Sequence, residues 1–143
     1  MLTKFNQKDV NRIFSHIPKR TILFWVENGL VGTVGEHTDR RGRNRVYSLE
    51  NLYTLATMEK LLKLGISALW LKSIAPQVER IWTAPVFKRG VVLRIEPGET
   101  RGHFISLRFE ENDRLPQAKG ELAIDIYLNR IAKGVDDLIS RKP

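Results

Sequence analysis

The sequence predicts an α+β fold: short helices and an arginine-rich hairpin in the first half, then a β-hairpin and an amphipathic C-terminal helix. Three observations predict it. Apolar residues recur at helical spacing up to about residue 76, the period changes from 3.6 to 2 after Pro85, and three-and-four spacing returns from Ile124 onward. With 143 residues, 42% of them hydrophobic, the chain is long enough for a real core. A chain of this size buries roughly two thirds of the surface its unfolded form exposes, so no covalent staple is needed.

Asn6 is a good helix N-cap, and Val10, Ile13 and Phe14 follow at helical spacing, so residues 7–14 read as a short amphipathic helix. Ser15, His16 and Ile17 make a turn. Pro18 suits the first helical position, Ile22, Phe24, Trp25 and Val26 supply the apolar positions up to Glu27, and Asn28-Gly29 is a stop. Two short helices joined by so short a turn form the helix-turn-helix pattern, with Lys19 and Arg20 on the exposed first turn of the second.

Val31 to Tyr47 is rich in Gly, Thr, Asp and Asn and reads as a hairpin or extended loop. Its tip carries Arg40, Arg41, Arg43 and Arg45, guanidiniums that repel one another unless an anion sits against them. Ser48 caps the next helix, with Glu50 in its first turn and Leu52, Leu55, Met58, Leu61 and Leu62 as its stripe, ending at Leu64-Gly65. Ser67 caps another, running through Leu69, Trp70, Leu71 and Ile74 to about Pro76.

Val91, Leu93 and Ile95 share one face of a strand, and Ile105, Leu107 and Phe109 one face of a second, across a turn from Pro97 to Gly102. Finally Ile124, Leu128, Ile131, Val135 and Leu138 make the seam of a helix, widened by Ile139. That seam is either intramolecular core or a dimer contact. Gly134 within it costs about 1 kcal/mol relative to Ala, so packing must hold the helix.

Composition narrows the function classes. Without cysteine there are no disulfides, thiolate metal sites, iron–sulfur clusters or cysteine nucleophiles. His16, His37 and His103 have no ligand spacing, Gly32 and Gly35 do not form a phosphate-loop signature, and no nucleophile–base pair is visible. No metal, no cofactor and no enzymatic activity are expected. The N-terminus is charged at once, unlike a secretory signal, and no segment approaches the ~20 apolar residues of a membrane span, so a cytoplasmic protein without a membrane partner is expected. The net charge is +8, of which +6 falls in residues 1–75, and this points to a polyanionic partner of the first half.

The run Thr21-Ile22-Leu23-Phe24-Trp25-Val26-Glu27-Asn28-Gly29-Leu30, then Arg43-Asn44-Arg45-Val46-Tyr47-Ser48, then Leu61-Leu62-Lys63-Leu64-Gly65-Ile66-Ser67 resembles the DNA-binding domain of the MerR family of transcription regulators. The resemblance covers about residues 5–75 and implies a winged helix-turn-helix, with the second helix in the major groove and the wing along the flanking backbone. By that match Lys19, Arg20 and Thr21 contact bases or phosphates, Phe24 and Trp25 pack near the backbone, and Arg40, Arg41, Arg43 and Arg45 bind phosphate. From the residues alone, Phe24 and Trp25 are equally readable as core, and Tyr47 either contacts the backbone or anchors the wing. The chain departs from the family at Leu23, where Arg is common, and at Phe24 and Trp25, where two tyrosines are common. Pro76, Pro85 and the predicted hairpin also stand where a long dimerisation helix usually follows, so dimer geometry does not carry over.

The expectation is a winged DNA-binding domain at 1–75 and a dimerising or sensing region at 76–143. Its partner is double-stranded DNA, read by a homodimer that joins through Ile124, Leu128, Ile131, Val135 and Leu138. Nothing in 76–143 identifies a small-molecule effector, and one remains open. Two other readings stand beside this one: a DNA-architectural protein of the phage excisionase kind, and an interaction module for an acidic protein.

Overall fold

The computed structural model describes residues 4–39, 42–83, 91–99, 104–110, 115, 117 and 120–141, and at 35–39, 42–44 and 104–110 it describes backbone alone. The elements run β1 (Lys4–Asn6), α1 (Gln7–Ile13), α2 (Lys19–Glu27), β2 (Gly35–Asp39), β3 (Gly42–Ser48) and α3 (Leu49–Lys63), then α4 (Ala68–Leu71), α5 (Ala75–Thr83), β4 (Val91–Pro97), β5 (Phe104–Glu110), β6 (Ile124–Tyr127) and α6 (Leu128–Ser140). The class is α+β, as the periodicity predicts.

Local chemistry sets several of the helix ends. Asn6 Oδ1 accepts from the Asp9 N–H at 2.8 Å, and Asp9 Oδ2 accepts from the Asn6 N–H at 3.0 Å. Ser48 and Asn51 form the same reciprocal box on α3, at 3.1 and 2.8 Å. Each box satisfies two backbone donors that the helix itself leaves open. Two exits match as well. Gly29 (φ +79°) and Gly65 (φ +91°) adopt the left-handed region. The next residues, Leu30 and Ile66, donate back to Trp25 and Leu61, the bonding of a Schellman cap.

Two antiparallel sheets result, in the orders β1-β3-β2 and β5-β4-β6. In the first, β2 and β3 form the expected wing hairpin, from Gly35 opposite Val46 to Asp39 opposite Gly42. β1 adds Phe5 opposite Tyr47. In the second, β4 and β5 form the expected hairpin, closed by Pro97 opposite Phe104.

Two expectations require correction. Ile124 does not belong to the C-terminal helix: it lies in β6 opposite Ile95, and α6 starts at Leu128. Ile124 and Ile126 alternate as strand residues, and between them Asp125 takes a two-pronged pair from Arg94, Nε at 2.7 Å and Nη2 at 3.0 Å, across the strands. The expected helix from Ser67 to Pro76 is in fact two. Ser67 Oγ caps α4, the chain turns through 72–74, and Pro76 stands in the first turn of α5, where a missing N–H leaves no bond unmade.

α3 is the centre of the core. Its residues from Asn51 to Glu59 are all buried, because β3 covers one side and α5 and α6 the others. Trp82 of α5 is fully buried; its Nε1 donates to Thr57 Oγ1 at 3.2 Å, and its ring lies 4.8 Å from that of Tyr53. The Tyr53 hydroxyl donates to Asp136 of α6 at 2.7 Å, and burial, then that hydrogen bond and charge, raise its pKa above the ordinary tyrosine value. One apolar cluster runs from Phe5 to Val135.

Along α6, Leu128 and Val135 are buried inside this core, while Ile131 and Leu138 are partly exposed. A Cβ added at Gly134 meets nothing within 4 Å, and its φ is not in the left-handed region. Gly134→Ala should therefore stabilise the fold by about 0.5–1 kcal/mol. The measurement is a urea titration, where the midpoint should rise at unchanged slope; a fall would mean that the added methyl meets an obstacle.

Candidate nucleic-acid interface

α2 divides cleanly by its helical period. Ile22 and Trp25, three apart, point into the core, at 0% and 9% exposure. Arg20 and Phe24, four apart, stand on the outer face, and Phe24 is 55% exposed. Lys19 is exposed and Thr21 partly so. Of the two adjacent aromatics, the indole is thus interior and the phenyl is presented to solvent.

The first turn of α2 carries no acidic residue, and Pro18 provides no side-chain cap. Cations at the positive end of a helix dipole are misplaced for stability. Lys19 and Arg20 stand at that end with no acidic side chain in the same turn.

The wing residues separate into two groups. Arg45 and Tyr47 are built into the wing's base. Arg45 is buried, and its Nη2 lies 3.5 Å from Glu27 Oε1, tying the end of α2 to β3. Tyr47 is fully buried opposite Phe5, and its hydroxyl donates to Gln7 Oε1, tying β3 to α1. Arg43 lies farther out, with its backbone opposite Thr38 near the hairpin tip. Arg40 and Arg41 lie outside the described residues.

α1 and the turn after it complete the support. Phe14 is buried, and His16 Nε2 stands 2.8 Å from Glu59 Oε2, a buried carboxylate of α3 that Lys63 also approaches at 3.7 Å. The turn that sets the angle between α1 and α2 is thereby held to α3. The partners Gln7, Glu27 and Glu59 escaped sequence reasoning. Glu27 and Arg45 are opposite charges, but a pair so far apart in the chain has no spacing to betray it.

Among the described residues, no group of three or more His, Asp or Glu side chains could hold a metal ion, and no helix is long and apolar enough to cross a membrane.

Two short helices with an outward cationic turn, a three-stranded sheet whose hairpin projects beside them, and a capped helix behind are the parts of a winged helix-turn-helix. Residues 5–72 match the family model of the MerR HTH family regulatory protein, and this N-terminal region is a MerR-type helix-turn-helix domain, a domain of DNA-binding transcription regulators. No curated protein matches the chain.

Proposed function

We propose that the protein is a sequence-specific regulator that reads double-stranded DNA, with α2 in the major groove and the wing along the adjacent backbone. The observation that carries this is the acid-free first turn of α2, with Lys19 and Arg20 exposed on a domain whose wing tip is arginine-rich. Arg20 and Thr21 read base edges, Lys19 and the outer wing arginines neutralise phosphate, and Phe24 lies against the sugar-phosphate backbone. Trp25, Arg45 and Tyr47 hold these groups in place.

Residues 76–143 complete the core around α3 and, in this reading, join two copies. Leu128 and Val135 are already occupied within one protomer, so the partly exposed Ile131 and Leu138 are the members of the predicted seam left to meet a partner. Paired half-sites follow from such a dimer, because one helix-turn-helix seldom supplies enough specificity. A small apolar effector would fit the groove of about 350 Å³ between the α3–α4 junction and the second sheet, lined by Leu64, Ile66, Trp70, Ile95, Pro97 and Leu122.

The test is selection from a random duplex pool at several salt concentrations. An enriched inverted repeat is the expected result. Salt-sensitive binding without an enriched sequence would point to a DNA-architectural protein, and no binding would leave the acidic-partner module. With an operator in hand, Arg20→Ala should alter sequence preference, and Phe24→Ala should weaken binding about equally for all sequences while leaving the melting temperature unchanged. A fall in melting temperature for Phe24→Ala would place its ring in the core instead.

A further inference from the structure

Glu79 lies on α5, beyond the residues that match the family, yet its carboxylate reaches into the DNA-reading half. Asn51 Nδ2, from the capping box of α3, donates to Glu79 Oε1 at 3.4 Å. The same carboxylate lies against Gly32: a Cβ there would stand 2.4 Å from Oε1 and 3.0 Å from Cδ and Oε2. Residue 32 belongs to the strap, residues 28–34, that joins α2 to the wing. Both ends of the strap are fixed, one by the Gly29–Leu30 cap and the other by the Val34 N–H donating to Val46 O at 2.8 Å. Arg45, bound to Glu27, lines the same cleft as Gly32, Thr33 and Glu79.

We infer that Glu79 is a positioning residue for DNA recognition: its carboxylate, seated on Gly32 and held by Asn51, sets the path of the strap and so the spacing between α2 and the wing. This rests on α2 and the wing being two parts of one DNA surface. α2 is anchored in the core by Ile22 and Trp25, and the base of β3 by Tyr47, so a strap that loses its support shifts β2 and the outer part of the wing rather than the helix. Wing cations then fall out of register with the phosphates that α2 aligns.

The geometry supplies a way to unseat Glu79 without touching α5. Gly32 is not in the left-handed region, so Ala is conformationally admissible there. Its methyl would instead evict the carboxylate, which is the flexible end of a side chain. Gly32→Ala and Glu79→Ala should therefore produce one and the same defect, and combining them should add little.

The experiment measures duplex affinity against salt for the full chain, Gly32→Ala, Glu79→Ala, the double variant and Glu79→Gln, with thermal unfolding alongside. Each single substitution should lower affinity about fivefold and reduce the salt slope by about one phosphate contact. The double variant should match either single one within about twofold, and Glu79→Gln, which retains an oxygen for Asn51, should keep most of the affinity. Additive losses, or an unchanged salt slope with a lower melting temperature, would overturn the inference in favour of a merely structural contact. If the unaltered protein binds no duplex, the functional reading fails by itself, and hydrogen exchange at the Val34 amide decides the inference. Faster exchange in both single variants, without further increase in the double, supports it; unchanged exchange overturns it.

Discussion

Trp82→Ala is expected to cost about 3–5 kcal/mol of folding stability. The indole is fully buried, lies against the Tyr53 ring of α3 and donates to Thr57 of the same helix. Truncation removes the apolar contact area and leaves the Thr57 hydroxyl, buried in the middle of α3, without that donor. For a chain of this length the melting temperature should fall by about 10 °C or more. Trp82→Phe separates the two contributions: it keeps an aromatic ring and loses the N–H, so about 1–2 kcal/mol should suffice. A loss below about 1 kcal/mol for Trp82→Ala would mean that α5 is not docked on α3.

The second large effect concerns the wing. Arg41→Ala combined with Arg43→Ala should weaken DNA binding about a hundredfold near 0.1 M salt and flatten the log–log salt dependence by about two units, the loss of two phosphate contacts. Arg45→Ala should behave differently, although it stands in the same arginine cluster of the sequence. Its guanidinium is buried and bound to Glu27, so its removal should lower the unfolding midpoint while leaving the salt slope close to that of the unaltered protein. Equal changes in slope for Arg45→Ala and the outer pair would show that Arg45 leaves Glu27 to meet DNA. On the proposed reading the wing holds one arginine for architecture, Arg45, and offers others to DNA, a division of roles that composition alone cannot display.

How far the sequence discloses this fold depends on the range of the forces involved. Asn6, Ser48 and Ser67 announce helix starts, and Gly29 and Gly65 announce exits, because capping is settled within four or five residues. The β4–β5 hairpin is legible from its alternation for the same reason. β1 is not, since three residues carry no pattern and its existence depends on β3, forty or more positions away. β6 is hidden by an accident of spacing: Ile124 lies four residues before Leu128, so a strand residue continues the helical seam. The split between α4 and α5 is obscured because Pro76 is as compatible with starting a helix as with ending one.

The candidate site shows the same boundary. Lys19, Arg20 and the wing arginines are visible as local charge. The positions of Trp25 and Phe24 follow only once the helix has a core to face. Arg45 and Tyr47 change from candidate contacts to supports because Glu27, Gln7 and Phe5 are brought to them by tertiary structure.

The burial of α3 on every side has a consequence for the chain while it is being made. Leu52, Leu55 and Met58 emerge long before Leu128, Ala132 and Val135, so a nascent chain holds a helix whose apolar sides are still bare. Nor can the second sheet close early, because β4 waits for β6, and β6 leads directly into α6. For that interval the molecule is at its most adhesive, offering apolar surface and an unpaired strand edge to any neighbouring chain or chaperone. Slow translation through residues 84–123 would lengthen the exposure, so the yield of soluble protein should respond to the pace of synthesis as well as to the stability of the finished fold.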